Sequence, residues 1–158
     1  MSTFIISCGG TGGHLSPGIA LAEGLIERGH TCYLVISNKD VDSRLIRNYS
    51  HLKFIRIPGV GFSFSLRGLL GFAREQLRGL AFAVKLLRKV KPDMVIGFGG
   101  VTTVGIAVAA YLLGCPVVLH EANHRAGKAI RFLSVSNAMR FFLLLIILLF
   151  LLFGCFTC

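Results

Sequence analysis

A chain of 158 residues is long enough for one domain with a real core. Its apolar content of 54% against 15% charged is greasy for a soluble domain, and 17 Lys+Arg against 7 Asp+Glu leave a formal net charge of +10. That balance favours an anionic partner, either an acidic membrane surface or a phosphorylated substrate, while the lack of zinc-finger spacing or an aromatic-rich basic cluster argues against nucleic acid.

"TFIISC" (3–8) is a short apolar run that reads as a buried strand, and "GGTGGHLS" follows it as a loop. Ser16 can cap a helix with Pro17 at its first position. "PGIALAEGLIER" then puts Ile19, Ala22, Leu25 and Ile26 on one face, and Gly29 ends it. "TCYLVIS" (31–37) is a second strand, a short helix is expected around Ser43–Asn48, and "LKFIRIP" (52–58) is a third strand. After the glycine-rich, basic "GVGFSFSLRGLLGF", a long helix runs to Lys91 and stops at Pro92. "DMVIGFGG" (93–100) is a strand entering a second glycine loop, and "VTTVGIAVAAYLLG" is a helix closed by Gly114. "CPVVLHE" (115–121) is a fifth strand, with another helix beginning near Ala126.

Strands alternating with helices predict a doubly wound, parallel α/β sheet of Rossmann type. Ligands in such sheets bind beyond the carboxyl ends of the strands. "GGTGGH", "GFGG" and "HEANH" each sit at such an end, so three special sequences converge on one edge.

"HEANH" (120–124) also spells H-E-x-x-H, the zinc peptidase signature, which needs one turn of helix to bring both histidines to one ion. Pro116, Val117 and Val118 make the preceding segment extended, and no acid or histidine follows His124 as a third ligand. The reading preferred is a polar cluster hanging from a strand end into a cleft, with no metal. "CFTC" (155–158) lacks a second cysteine pair, and "DVD" (40–42) reads as solvated charge in a loop. His30 and His51 read as surface residues at element ends. Five scattered cysteines predict no disulfide framework and a reducing compartment, and "MSTFIISCGG" lacks the positive start of a signal peptide.

The first loop is not a Walker A cradle, since no Gly-Lys-Ser/Thr occurs. It is a poor dinucleotide fingerprint too: position 15 is Leu, and the second strand ends without an acid for a ribose. No cofactor is therefore expected. What remains is a turn rich in backbone N–H groups before a helix N-terminus, suited to a phosphate or serving only as a tight turn.

Taken together, "GGTGGHLSPGIALAEGL", "PDMVIGFGG" and "PVVLHEAN" closely resemble the N-terminal half of the MurG family of bacterial lipid II synthases, over roughly residues 3–135. These are N-acetylglucosaminyltransferases that add the second sugar of the peptidoglycan precursor. The resemblance implies a two-domain glycosyltransferase of GT-B type with its active site between two Rossmann-like domains. The N-terminal domain would handle the lipid-linked acceptor and sit on the cytoplasmic face of the plasma membrane, peripherally or through a tail. Matched by motif, Thr11, Gly12, Gly13 and Asn123 would meet UDP-N-acetylglucosamine, and Gly97, Gly99 and Gly100 would face the diphosphate of lipid I. His14 is the expected general base, since imidazole titrates near neutrality, with Glu121 the alternative. Val101 stands where the family usually has an aromatic, which bears on acceptor packing.

The resemblance ends at "FFLLLIILLFLLFGCFTC", a run of 18 residues without charge. Residues 141–156 as helix would span about 24 Å, short of the ~30 Å hydrocarbon core. The expected organisation is a glycosyltransferase domain over 1–138 and a hydrophobic tail over 139–158, either a truncation product or an anchor. The second reading is a non-catalytic, membrane-anchored subunit that recruits a separate donor-binding domain. Arg67, Arg74 and Arg78, interleaved with Phe62, Phe64, Leu66, Leu69, Leu70 and Phe72, predict contact with anionic lipid over residues 61–79.

Overall fold

A computed structural model describes residues 1–9, 12–37, 46–57 and 66–120, with the side chains of residues 12, 66–73 and 101 outside that description. Chain order is β1 (Thr3–Ser7), α1 (Gly12–Glu27), β2 (Thr31–Ile36), a 3-10 turn (Ile46–Asn48), β3 (Lys53–Arg56), α2 (Leu66–Val90), β4 (Met94–Gly97), α3 (Gly100–Leu112) and β5 (Val117–Leu119). Among these residues the strands form one sheet in the order β3-β2-β1-β4-β5. Every pairing is parallel, with Ile6 opposite both Leu34 and Ile96. The sheet is thus doubly wound, as the alternation of elements predicts.

Both faces of a parallel sheet are covered by its crossover helices, so its central strands are apolar on both sides. Successive residues point to opposite faces, and the core divides accordingly. Ile6, Leu34, Ile36 and Ile96 pack with Leu15, Ile19 and Ala22 of α1 on one face. Ile5, Val35 and Val95 pack with Ala83, Leu86 and Leu87 of α2 and with Ile106, Ala109 and Ala110 of α3 on the other.

Glycine closes two helices. At the end of α1, Gly29 has φ 80°, its N–H donates to Ile26 O at 2.9 Å, and His30 N–H donates to Leu25 O at 3.1 Å. At the end of α3, Gly114 has φ 68°, and Cys115 N–H donates to Ala110 O at 2.9 Å. Both are the paired-bond ending that a left-handed residue permits. Helix α2 ends at Val90 without a glycine: Lys91 takes φ 49°, and Pro92 prevents continuation.

Two expectations about α1 need correction. The helix begins at Gly12, so Ser16 and Pro17 lie inside it rather than at its cap. The loop's own glycines are wound into the first turn, and Pro17, with no N–H, leaves the Gly13 carbonyl without its intrahelical donor. Ile26 is 40% exposed and not part of the buried face. It lies in the last turn, beside the Gly29 ending, where the apolar stripe has narrowed to Leu25. The expected helix around Ser43–Asn48 is described only as the turn at 46–48. "DVD" (40–42), the start of the 61–79 segment, the helix near Ala126, "CFTC" and the tail 139–158 lie outside the described residues.

Candidate functional site

The chain steps from β1 outward to β2 and β3, then crosses back through α2 to β4 on the other side of β1. Between β1 and β4 the direction of winding reverses, which opens a crevice at their carboxyl ends. The loops leaving these two strands are the two glycine loops, and the structure fastens them together.

Gly9, just past β1, is wedged against the end of β2: a Cβ there would lie 2.7 Å from Ile36 Cα and C, and closer still to Ser37 N. Its carbonyl accepts a hydrogen bond from Thr102 Oγ1 at 3.2 Å. The same oxygen would be 2.7 Å from a Cβ on Gly100, whose φ is 81°. Both glycines are therefore fixed by approach of one backbone to another. Phe98 N–H donates to Ser7 O at 2.9 Å, extending the β1–β4 ladder into the loops. Gly97 serves packing, since a Cβ there would overlap Thr103 Cγ2 and approach Leu119 Cδ2 at 3.1 Å.

His14 sits in the first turn of α1 and lies against the second loop. A Cβ on Gly99 would be 3.2 Å from His14 Cε1 and 3.6 Å from both ring nitrogens. Gly99 has φ 102° and ψ −172°, a conformation open essentially to glycine alone. Among the described residues, His14 Nδ1 is buried and has no hydrogen-bond partner. Buried polar atoms nearly always have one, so an orphan nitrogen at the mouth of a crevice calls for an explanation. Helix α3 starts beside it, and among the described residues no side chain caps it at Gly99. The leading N–H groups of such a helix start suit an anion.

The third strand end joins the same edge. His120 N–H donates to Gly97 O at 2.8 Å, and its ring lies 4.9 Å from that of Phe98. His120 thus continues the sheet ladder, as the extended segment before it predicts, and is not inside a helix. Among the described residues no group of three His, Cys, Asp or Glu is placed to hold a metal ion.

Of the site residues named from the sequence, Gly12, Gly13 and His14 open α1, Gly97 ends β4, and Gly99 and Gly100 form the turn into α3. Thr11, Glu121 and Asn123 lie outside the described residues. Sequence reasoning missed Ser7, Thr102 and Thr103, which tie the loops together. The only local signal was "TT" directly after a glycine pair, where hydroxyl side chains can reach back to a loop carbonyl.

The model of the glycosyltransferase family 28 N-terminal domain matches residues 4–139. The UDP-N-acetylglucosamine–N-acetylmuramyl-(pentapeptide) pyrophosphoryl-undecaprenol N-acetylglucosamine transferase of Opitutus terrae is 58% identical over 134 residues, covering 85% of this chain and 36% of that protein. The protein of the same name from Neisseria meningitidis is 38% identical, covering 84% and 37%. Among solved structures, MurG of Acinetobacter baumannii is similar at TM-score 0.70 and 27% identity, covering 85% of this chain and 39% of that one. The Streptomyces sp. SF2575 glycosyltransferase SsfS6, at TM-score 0.62 and 18% identity, shares the fold over 87% of this chain and 44% of its own. The chain spans little more than a third of the length of the curated relatives it matches.

Proposed function

The chain belongs to the family of glycosyltransferase family 28 N-terminal domains, and from that premise we propose that it is the acceptor-side half of an inverting N-acetylglucosaminyltransferase. The reaction moves N-acetylglucosamine from UDP-N-acetylglucosamine to lipid I, the undecaprenyl-diphosphate-linked acceptor, and yields lipid II. The names of the relatives give the substrates. The observation in this chain that carries the reading is the pair of glycine loops bonded into one unit, with His14 lying against the second of them.

Inversion follows from a single displacement. The acceptor hydroxyl oxygen attacks the anomeric carbon, the bond to UDP breaks, and the hydroxyl proton passes to a base. His14 is that base and Glu121 the alternative. Charge growing on the departing diphosphate needs donors already aimed at it, which glycine loops at helix starts provide. By the family's motifs, Thr11, Gly12, Gly13 and Asn123 would meet the donor, and Gly97, Gly99 and Gly100 the acceptor diphosphate. Residues 1–138 form this domain, and 139–158 a hydrophobic tail.

A test with the 158-residue polypeptide alone separates the two halves of the reaction. It should retain a lipid I analogue while giving no detectable transfer from UDP-N-acetylglucosamine. Robust turnover by that polypeptide, or failure to retain the acceptor analogue, would overturn the acceptor-side assignment.

The net charge of +10 supports a place for the domain at the cytoplasmic membrane surface. Arg74, Arg78, Lys85, Arg88 and Lys89 are exposed on α2. Of these, Lys85 and Arg88 border a groove lined by Leu77, Leu80, Ala81 and Val84. Among the described residues no helix is long and apolar enough to cross a membrane. Screened charge and buried apolar area respond differently to salt. A polypeptide ending at Asn137 should therefore bind anionic vesicles at low salt and leave them at high salt. No binding at low salt would make the basic surface structural only and leave membrane contact to the tail.

A further inference from the structure

Thr103 is 1% exposed, in the first turn of α3. Its hydroxyl nevertheless meets three oxygens: Gly99 O at 2.5 Å, Ser7 Oγ at 3.1 Å and Ser7 O at 3.3 Å. A hydroxyl has one proton to give. The shortest contact takes it, so Thr103 donates to Gly99 O and its oxygen is left to accept from the Ser7 hydroxyl. The result is a chain of hydrogen bonds from the end of β1 to the carbonyl of Gly99, in which each bond strengthens the next.

We infer that Thr103 is the positioning residue for His14, acting through Gly99. Gly99 stands at φ 102°, ψ −172°, with no side chain of its own to hold that conformation. Its carbonyl is fixed by Thr103, and its α-carbon forms the wall against which the His14 ring lies. The threonine is held in turn on its other side, because its Cγ2 fills the space where a side chain on Gly97 would be. Ser7, Thr103 and Gly99 thereby set where the imidazole stands relative to the second loop. That His14 is the base of a transfer reaction rests on the function proposed above; that Thr103 holds its ring does not.

The test reads the ring itself in the complete 158-residue chain. Histidine is isotopically labelled, and the His14 signal is assigned by its loss in His14→Gln. In Thr103→Val, which keeps the methyl on Gly97 and removes the hydroxyl, the His14 Cε1–H resonance should move and broaden. Those of His30 and His51, at the opposite end of the sheet, should stay in place. Thr103→Ser restores the hydroxyl and should return His14 to its original position. If Thr103→Val does not fold, Ser7→Ala decides in its place, since it removes the second link of the chain without touching Gly99 or the methyl. A His14 resonance unchanged in the folded Val variant, or in Ser7→Ala where that one is needed, overturns the inference. So does a Thr103→Ser variant as displaced as the valine. No substrate is present, so neither result depends on transferase activity.

Discussion

Replacing Gly9 with alanine is expected to lower the unfolding free energy by about 3 kcal/mol, a fall of roughly 10 °C in Tm for a domain of this size. The added methyl would lie 2.7 Å from Ile36 Cα and C, and closer to Ser37 N. All three are backbone atoms at the end of β2, so no side chain can swing aside. That backbone is tied to its neighbours, with Cys8 N–H donating to Val35 O and Ile57 N–H to Ile36 O, each at 3.0 Å. The displaced Gly9 carbonyl would also lose Thr102 and its seat against Gly100. Gly105→Ala provides the control. It lies within α3 and a Cβ there meets nothing within 4 Å, so it should stabilise the chain by about 0.5–1 kcal/mol. Urea unfolding of the three proteins checks both signs. A Gly9→Ala midpoint equal to that of the unmodified chain would show that the first loop is not wedged against β2.

His14→Ala should have the largest effect on chemistry. In a complete enzyme carrying this domain, kcat should fall by about 10² to 10⁴, the range for losing a positioned base. KM for UDP-N-acetylglucosamine should change much less, because the proton is taken only as the bond forms. Glu121→Gln is the comparison that assigns the role. If Glu121 were the base, its loss would cause the larger fall and His14→Ala would remain within a factor of ~10 of the unmodified enzyme. A glutamine at position 14 keeps a polar group near Gly99 but cannot accept the proton, so it should be as impaired as the alanine.

The order of strands and helices was legible because buried parallel strands are written as unbroken apolar runs such as "TFIIS" and "TCYLVI", each ended by glycine, serine or proline. The start of α1 was not, because Ser16-Pro17 is a strong local cap signal while the coiling of Gly12 and Gly13 depends on where β1 leaves the loop. Periodicity also gave the direction of the buried face but not its end, hence the misplaced Ile26. His14 and the glycine loops could be named from their sequence pattern and place. The hydroxyls that bind the loops could not. Ser7 and Thr103 are 96 residues apart in the chain. They meet only because β1 and β4 are neighbours in the sheet, a consequence of the crossover through α2.

This domain is proposed to supply the acceptor half of an N-acetylglucosamine transfer site. The most direct measurement joins residues 1–138 to the remainder of the Opitutus terrae relative, which is 58% identical over the shared part. The chimera is then assayed with labelled UDP-N-acetylglucosamine and a lipid I analogue. Label should appear in lipid II and disappear in the His14→Ala chimera. A chimera that folds and binds UDP-N-acetylglucosamine, yet transfers no sugar to the acceptor, would contradict it.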